Sequence, residues 1–271
     1  MNNKYQTLAC PQASSTRASG PLRKKHLMSS SALAGLVLAL APAAQAADVT
    51  WSGGAGNAWD TTSSFWEAGT TTYTEGDTAI FDGVVSGTVD LTADRTPEAV
   101  ADGVTVSGAN NYEFTGAGII GGTGLTKSGT GTLTLSNTGN AYSGGTFINT
   151  AVAGGNIVAT NAASLGTGTV FLDDDTNAAG LVLSLSNDSG TTWANDFKML
   201  DGRYFSINVG GTGAAGTTHT FGNFLSNAGR MGPVFTGSDG YNLNVGSISG
   251  NHQLDISSQM NGELTIASVT S

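Results

Sequence analysis

Cysteine, proline and basic residues are all scarce in this sequence. The single cysteine is Cys10, and only two of the five prolines, Pro97 and Pro233, follow residue 47. One cysteine cannot form an intrachain disulfide, so the folded chain must depend on packing and hydrogen bonds for its stability. Runs of the helix-forming residues Leu, Glu, Lys and Arg are also missing after residue 47, which disfavours a helical protein.

The N-terminal segment has the organisation of a secretory signal peptide. Basic residues 23–25 (RKK) precede an apolar run at 27–41, and the small-residue motif AQA follows at 44–46. The apolar run is shorter than the roughly 20 residues that span a bilayer, so a membrane anchor is disfavoured. We predict that residues 1–46 are cleaved, that the protein is exported to the extracellular space or the cell surface, and that the mature chain does not insert into a membrane.

Loss of that segment leaves a strongly acidic chain. Five basic residues then face all 20 carboxylates, a net charge of about −15. Such a surface repels nucleic acid and anionic lipid, so neither is an expected partner. The basic residues that remain are Arg95, Lys127, Lys198, Arg203 and Arg230.

What the chain has instead is a series of short apolar runs separated by glycine, serine, asparagine or aspartate. Each run has the length of a strand and several alternate with a period of two, as in an all-β protein. A sandwich, a barrel and a parallel β-solenoid all fit this pattern. The predicted strands lie at 132–135, 146–148, 156–158, 170–172, 181–185, 205–209, 243–245, 254–256 and 264–266.

Internal repetition favours the solenoid among these three. A shift of 50 residues superimposes nine identical residues over about 40 positions, which suits two or three coils of roughly 18 to 25 residues. The superimposed pairs include Leu133 and Leu183, Phe147 and Phe197, Ile157 and Ile207, and Phe171 and Phe221. Alternation places Leu133 and Leu135 in the core and Thr132 and Thr134 outside.

Residues 124–149, GLTKSGTGTLTLSNTGNAYSGGTFIN, carry a recognisable motif. They resemble the autotransporter-associated β-strand repeat of bacterial secreted passenger proteins, whose pattern is close to G-L-x-K-x-G-x-G-T-L-x-L-S-G-x-N-x-Y-x-G-G-T-x-I. The match has a small shift around 137–141, and the resemblance continues to residue 172. It implies a right-handed parallel β-helix that is exported, with a solenoid at 84–271 and one clear repeat at 124–172.

The segment 51–83 resembles the leader region of such proteins, and we assign residues 47–83 to an N-terminal cap with the first strands. It opens with W-x-G-G-x-G-x-x-W and closes with G-D-T-A-x-F. We interpret Trp51, Trp59 and Trp66 as an aromatic cap over the first coil, because an open solenoid end exposes apolar surface and unpaired strand edges. The alternative is that these tryptophans stack on sugar rings.

No convincing catalytic or cofactor site stands out, and we expect no enzyme activity and no cofactor. The weak calcium candidates are Asp173, Asp174 and Asp175, which also fit an exposed turn. A second polar set, Asp196, Lys198, Asp201 and Arg203, fits a surface ion-pair patch. His219 and His252 lie in no metal-ligand or nucleophile setting. We expect Lys127 to be solvated at the acidic surface, and asparagines such as Asn137, Asn140, Asn187 and Asn195 to form turns or ladders.

These features predict a structural role. We expect a secreted or surface-displayed solenoid scaffold or stalk that contributes to adhesion or end-to-end assembly. Its expected partners are further copies, through the coil ends, or surface polysaccharide or matrix. A complete autotransporter ends in a translocator barrel, whose pattern is not seen here, so we expect an N-terminal portion or another export route. The alternative is a polysaccharide-binding or polysaccharide-degrading β-helix.

Overall fold

A computed structural model describes most of the chain after the N-terminal segment. The described residues are 46–54, 56–100, 102–137, 139–149, 156–173, 182–201, 204–226, 232–238, 240–250 and 256–270. The predicted signal peptide therefore lies outside them except for its last residue. Asp174, Asp175, Arg203, Arg230 and His252 lie outside them as well.

The described residues form strands and turns, with no helix among them. Short runs of β-branched and apolar residues form the strands, and glycine-rich turns separate them. The strands are β1 (Asp48–Thr50), β2 (Thr78–Phe81), β3 (Gly87–Asp90), β4 (Val104–Val106), β5 (Tyr112–Thr115), β6 (Leu125–Lys127), β7 (Thr132–Leu135), β8 (Thr146–Asn149), β9 (Asn156–Ala159), β10 (Val170–Asp173), β11 (Val182–Ser186), β12 (Thr192–Trp193), β13 (Phe197–Asp201), β14 (Tyr204–Gly210), β15 (Thr218–Phe221), β16 (Phe224–Ser226), β17 (Gly232–Gly237), β18 (Asn242–Gly250), β19 (Ser257–Met260) and β20 (Leu264–Thr270).

The strands stack into two long parallel sheets. The larger sheet has the order β1-β2-β4-β6-β8-β10-β13-β16-β18-β15-β12, with β20 paired to β18, and the smaller has the order β19-β17-β14-β11-β9-β7-β5-β3. Every pairing between these strands is parallel. Successive strands along the chain mostly alternate between the sheets, so each coil, or rung, lies on the one before. This is a parallel β-solenoid, and the prediction of that fold is confirmed.

The larger sheet widens towards its C-terminal end. From Thr192 onwards, a rung contributes two strands in tandem, β12 with β13 and then β15 with β16. The nine-residue strand β18 pairs with β15 through Asn242 to Val245 and with β16 through Ile248 to Gly250. These rungs therefore contribute two strand segments to the larger sheet, where the earlier rungs contribute one.

A single apolar core runs through the solenoid. In β7, Leu133 and Leu135 are buried and Thr132 and Thr134 are partly exposed, as the alternation predicts. Leu133 lies in register with Ile157, Leu183 and Ile207 of successive rungs, so apolar side chains stack in a column. Full burial of each such side chain stabilises the fold by about 1.5–3 kcal/mol.

The 50-residue period is correct on one sheet and wrong on the other. In the smaller sheet, Leu133, Ile157 and Leu183 are paired in turn, so two rungs span 50 residues and Leu133 matches Leu183. In the larger sheet, Phe147 pairs with Phe171 and Phe171 pairs with Lys198, so two rungs span 51 residues. A slip of one residue moves a side chain to the other face of a strand.

The strand register corrects two of the superimposed phenylalanine pairs. Phe147 faces outward, whereas Phe197 is fully buried in the core. Phe171 also faces outward, whereas Phe221 is buried on β15, in register with Trp193 and Val245. Phe147 and Phe171 are equivalent to each other, and neither is equivalent to the buried phenylalanine that the 50-residue shift assigned to it.

Candidate functional site

The predicted aromatic cluster is present near the N-terminal part of the solenoid. Trp51, Trp59 and Trp66 are buried, and each ring contacts others, mostly edge to face. The ring centroids of Trp59 and Phe114 lie 5.9 Å apart, which joins the cluster to the apolar column of β5. Because neighbouring aromatic rings surround the three indoles, the geometry favours the cap over a platform for sugars.

A shallow depression of about 610 Å³ lies beside the cap. Its lining includes Trp51, Glu67, Ala68 and Val84. Glu67 and Ala68 have positive φ angles of 48° and 57°, and Glu67 Oε1 accepts a hydrogen bond from the Thr50 amide at 2.7 Å. The Glu67 amide also donates to the Thr50 carbonyl at 2.8 Å, so two hydrogen bonds tie the loop to β1 and account for its geometry.

Lys127 contradicts the expectation of a solvated side chain. It points into the core from β6, between Val106 and Ile148, and its relative exposure is 0%. Its Nζ donates hydrogen bonds to the carbonyls of Ser128 at 2.5 Å and Gly129 at 3.2 Å. Burial lowers the pKa of Lys127 to about 8. The lysine closes the turn between β6 and β7, and Gly129 there has a φ of 70° that favours glycine.

Buried asparagines connect consecutive rungs. Asn140 Oδ1 accepts a hydrogen bond from the Ile120 amide of the preceding rung, and its Nδ2 donates to the Ser164 carbonyl of the next. Asn137 and Asn140 are also hydrogen-bonded to each other. Asn195 Nδ2 bonds the Gly168 carbonyl at 2.7 Å in the same way. None of the four predicted asparagines has a positive φ, so the ladder alternative describes them better than left-handed turns.

His219 is a fully buried strand residue. Its ring stacks on Tyr241 with centroids 5.3 Å apart and packs edge to face against Trp193 at 5.1 Å. Neither ring nitrogen has a hydrogen-bond partner of good geometry. Burial lowers the pKa of His219, and the nearby Gly210 and Asn187 backbone groups only partly oppose this shift. Such an arrangement keeps the imidazole neutral inside an aromatic stack.

The acidic candidates are only partly covered by the structure. Asp173 ends β10 and pairs in register with Asn149 of β8, while Asp174 and Asp175 lie outside the described residues. Asp196 Oδ1 accepts hydrogen bonds from the amide and side chain of Asn223. The ion-pair patch stays a prediction, since Arg203 is outside the described residues. Within those ranges, no group of three or more His, Cys, Asp or Glu is placed to hold a metal ion.

A groove on the outer face of the larger sheet was missed by sequence reasoning. Phe147 and Phe171 stack there almost parallel, with ring centroids 4.4 Å apart and an interplanar angle of 8°. They line a depression of about 320 Å³ together with Asp102, Thr126, Asn149 and Asp173. The signal was available in the sequence: Ile148 and Leu172 face the core, so the phenylalanine before each must face outward.

A second depression adjoins the first. It measures about 620 Å³ and is lined by turn residues 108–109 and 128–130, with Thr126 and Asn149. Because Thr126 and Asn149 line both depressions, the two form one surface feature. We call this combined feature the phenylalanine groove.

The fold defines the chain as a parallel β-solenoid with closely stacked rungs. Residues 125–152 match the passenger-associated-transport-repeat family, which confirms the resemblance first found at 124–149. The matched segment starts with β6 and includes Lys127, Asn137, Asn140 and β8. Together, the repeat and the solenoid fit a passenger-type β-helix repeat protein. No curated protein and no solved structure matches the chain significantly. The described residues also include no helix long and apolar enough to cross a membrane.

Proposed function

We propose that this protein is an exported, surface-displayed scaffold or stalk that associates end to end and contributes to adhesion. The observation that carries the proposal is the passenger-type repeat, which is built into a continuous stack of parallel rungs. The repeat and the solenoid indicate a structural role. Export, display and assembly are the further steps that we propose.

Bonding between rungs supports a scaffold. Asn140, Asn187 and Asn195 each donate a hydrogen bond from the side-chain nitrogen to a backbone carbonyl of a neighbouring rung. Backbone hydrogen bonds join the same rungs along both sheets. A chain whose polar groups are bonded in this way presents few free backbone groups to a protease, as an external stalk requires.

The two described ends of the stack differ, and this supports association through one of them. At the N-terminal end, the aromatic cluster closes the core. At the other end, β19 pairs only with β17 and β20 only with β18 among the described strands. Leu264 and Ile266 of β20 continue the inward column of Leu243 and Val245 but are only partly buried. A further strand can pair with β20, and in the proposed association a second copy of the chain supplies it.

Sedimentation of the purified chain over a wide concentration range tests the assembly step. We expect reversible association of the wild-type chain, which Ile266→Lys abolishes because a charge then lies in the inward column through which the second copy would pack. Thr265→Lys is the matched control, since it adds the same charge to the outer face of the same strand. A wild-type chain that stays monomeric at every concentration contradicts the proposal, and so does equal association of the two variants.

A further inference from the structure

The phenylalanine groove sits on a column of outward-facing residues that runs along the solenoid. Thr126, Phe147 and Phe171 lie in register on β6, β8 and β10, and the column continues to Lys198 on β13 and Leu225 on β16. Successive parallel strands are about 4.8 Å apart, so the groove follows the solenoid axis over several rungs. An extended polymer fits such a surface better than a compact ligand does.

The phenylalanine pair is held in a fixed position before any ligand arrives. The ring of Phe171 lies over Gly145, where a Cβ atom would come within 2.8 Å of the ring, and Gly145 has a φ of 101°. The other ring, Phe147, is fixed by its parallel stack with Phe171. Two partly exposed phenylalanines on a polar outer face are unusual, and a preorganised apolar surface binds with little loss of side-chain entropy.

The rest of the lining consists of groups that bond hydroxyls. Asp102 and Asp173 contribute carboxylates, Asn149 an amide and Thr126 a hydroxyl. Carboxylates and amides form hydrogen bonds with neutral hydroxyl groups, while the apolar C–H surface of a sugar ring packs against aromatic side chains. An apolar surface with a few convergent polar groups has the general composition of a ligand site.

We propose that the phenylalanine groove binds a neutral polysaccharide chain. The carboxylates of Asp102 and Asp173 in the groove disfavour an anionic polymer. Lys198, one rung beyond Phe171, adds a single positive charge at the border. The site is distinct from the buried tryptophans, for which sugar stacking was considered, and it does not depend on the scaffold role.

Affinity electrophoresis of the purified chain tests this proposal. The probes are soluble neutral polysaccharides (dextran, laminarin and a mixed-linkage glucan), with alginate as the anionic comparison. We expect retardation by at least one neutral probe and not by alginate. The double variant F147A/F171A should weaken the interaction by about tenfold or more, as truncation of a central aromatic contact does. Val84→Ala is the matched control, because it removes an exposed apolar side chain from the separate depression beside the cap.

Asp102→Asn provides a second variant in case the double variant does not fold. Asp102 is an exposed residue outside the strands, so its change should leave the thermal midpoint intact and weaken binding by severalfold. The proposal is overturned if no neutral probe is retarded, if alginate alone binds, or if folded groove variants bind as well as Val84→Ala. Concentration-dependent dimerisation that the groove variants abolish would assign the groove to a second copy instead.

Discussion

At the scale of single residues, Lys127 shows how a polar side chain is used inside the solenoid. Its stem occupies an inward position among apolar neighbours, and its ammonium group reaches the carbonyls of the following turn. Those carbonyls lie where the chain leaves β6 for β7, and a turn cannot satisfy them through sheet hydrogen bonds. The lysine therefore replaces a missing backbone donor, at the expense of burying a group that prefers to be charged in water.

The burial of Lys127 predicts a stability that depends on pH. Its pKa is about 8 in the folded chain and 10.5 when unperturbed. Below pH 8 both states bind the proton, but above pH 8 the folded state releases it first, so the free energy of unfolding rises with pH. We expect a rise of about 2 kcal/mol between pH 7 and 9.5. Urea unfolding at a series of pH values measures it.

Two variants separate Lys127 from other groups that titrate. Lys127→Met keeps most of the apolar stem and removes the proton, so this part of the rise should disappear. Lys198→Met changes a lysine on the outer face of β13 and should retain the wild-type slope. The range stops at pH 9.5 because burial raises the pKa of Tyr73, Tyr142 and Tyr112, which opposes folding at higher pH. Equal slopes in all three proteins would refute the assignment.

At the scale of elements, the rungs are joined by side chains as well as by strands. Asn140 contacts the rung before it through the Ile120 amide and the rung after it through the Ser164 carbonyl. Asn242 makes the same kind of bridge on the exposed surface, where it accepts from the Glu263 amide and donates to the Gly216 carbonyl. The two asparagines differ mainly in burial, and burial decides what a lost hydrogen bond costs.

This pair gives a matched prediction. Asn140→Ala leaves several buried partners without a bond, so we expect a loss of about 3 kcal/mol in the free energy of unfolding. Asn242→Ala leaves its partners accessible to water, and we expect a loss below about 1 kcal/mol. Urea unfolding monitored by circular dichroism measures both. A loss for Asn242→Ala as large as that for Asn140→Ala would show that burial does not control these bridges.

The fold was largely predictable from the sequence because its cause is local. Alternation in β7 places Leu133 and Leu135 inside, and that pattern is visible in four consecutive residues. The phenylalanine groove was not predicted, because its position depends on rung lengths of 24 and 27 residues on one sheet. A uniform 50-residue period hides this difference. It superimposed the outward-facing Phe147 on Phe197, which lies in the core. The prediction of a solvated Lys127 was wrong because it was based on the charge of the side chain and not on its inward position in β6.

At the scale of the whole molecule, stability should vary along the stack. Each rung contacts mainly its neighbours, so a local change should destabilise the adjacent rungs more than distant ones. Trp59 holds the N-terminal end together through rings of Trp66, Tyr73, Phe81 and Phe114. Trp193 occupies a comparable buried position much further along, against His219. Truncation of either tryptophan therefore removes the same side-chain volume, but at two distant positions along the stack.

Hydrogen exchange of the backbone amides measures the local stability at each of these two positions separately. Truncation of a buried tryptophan costs about 3–5 kcal/mol. We expect Trp59→Ala to speed exchange in β2 and β4 by at least about 100-fold while β18 changes little, and Trp193→Ala to speed exchange in β12 and β15 instead. In the wild type, β19 and β20 should exchange faster than the central strands, since each pairs on one side among the described strands. If both variants accelerate every strand equally, the solenoid opens as one cooperative unit, and the cap then stabilises the whole stack instead of its own end.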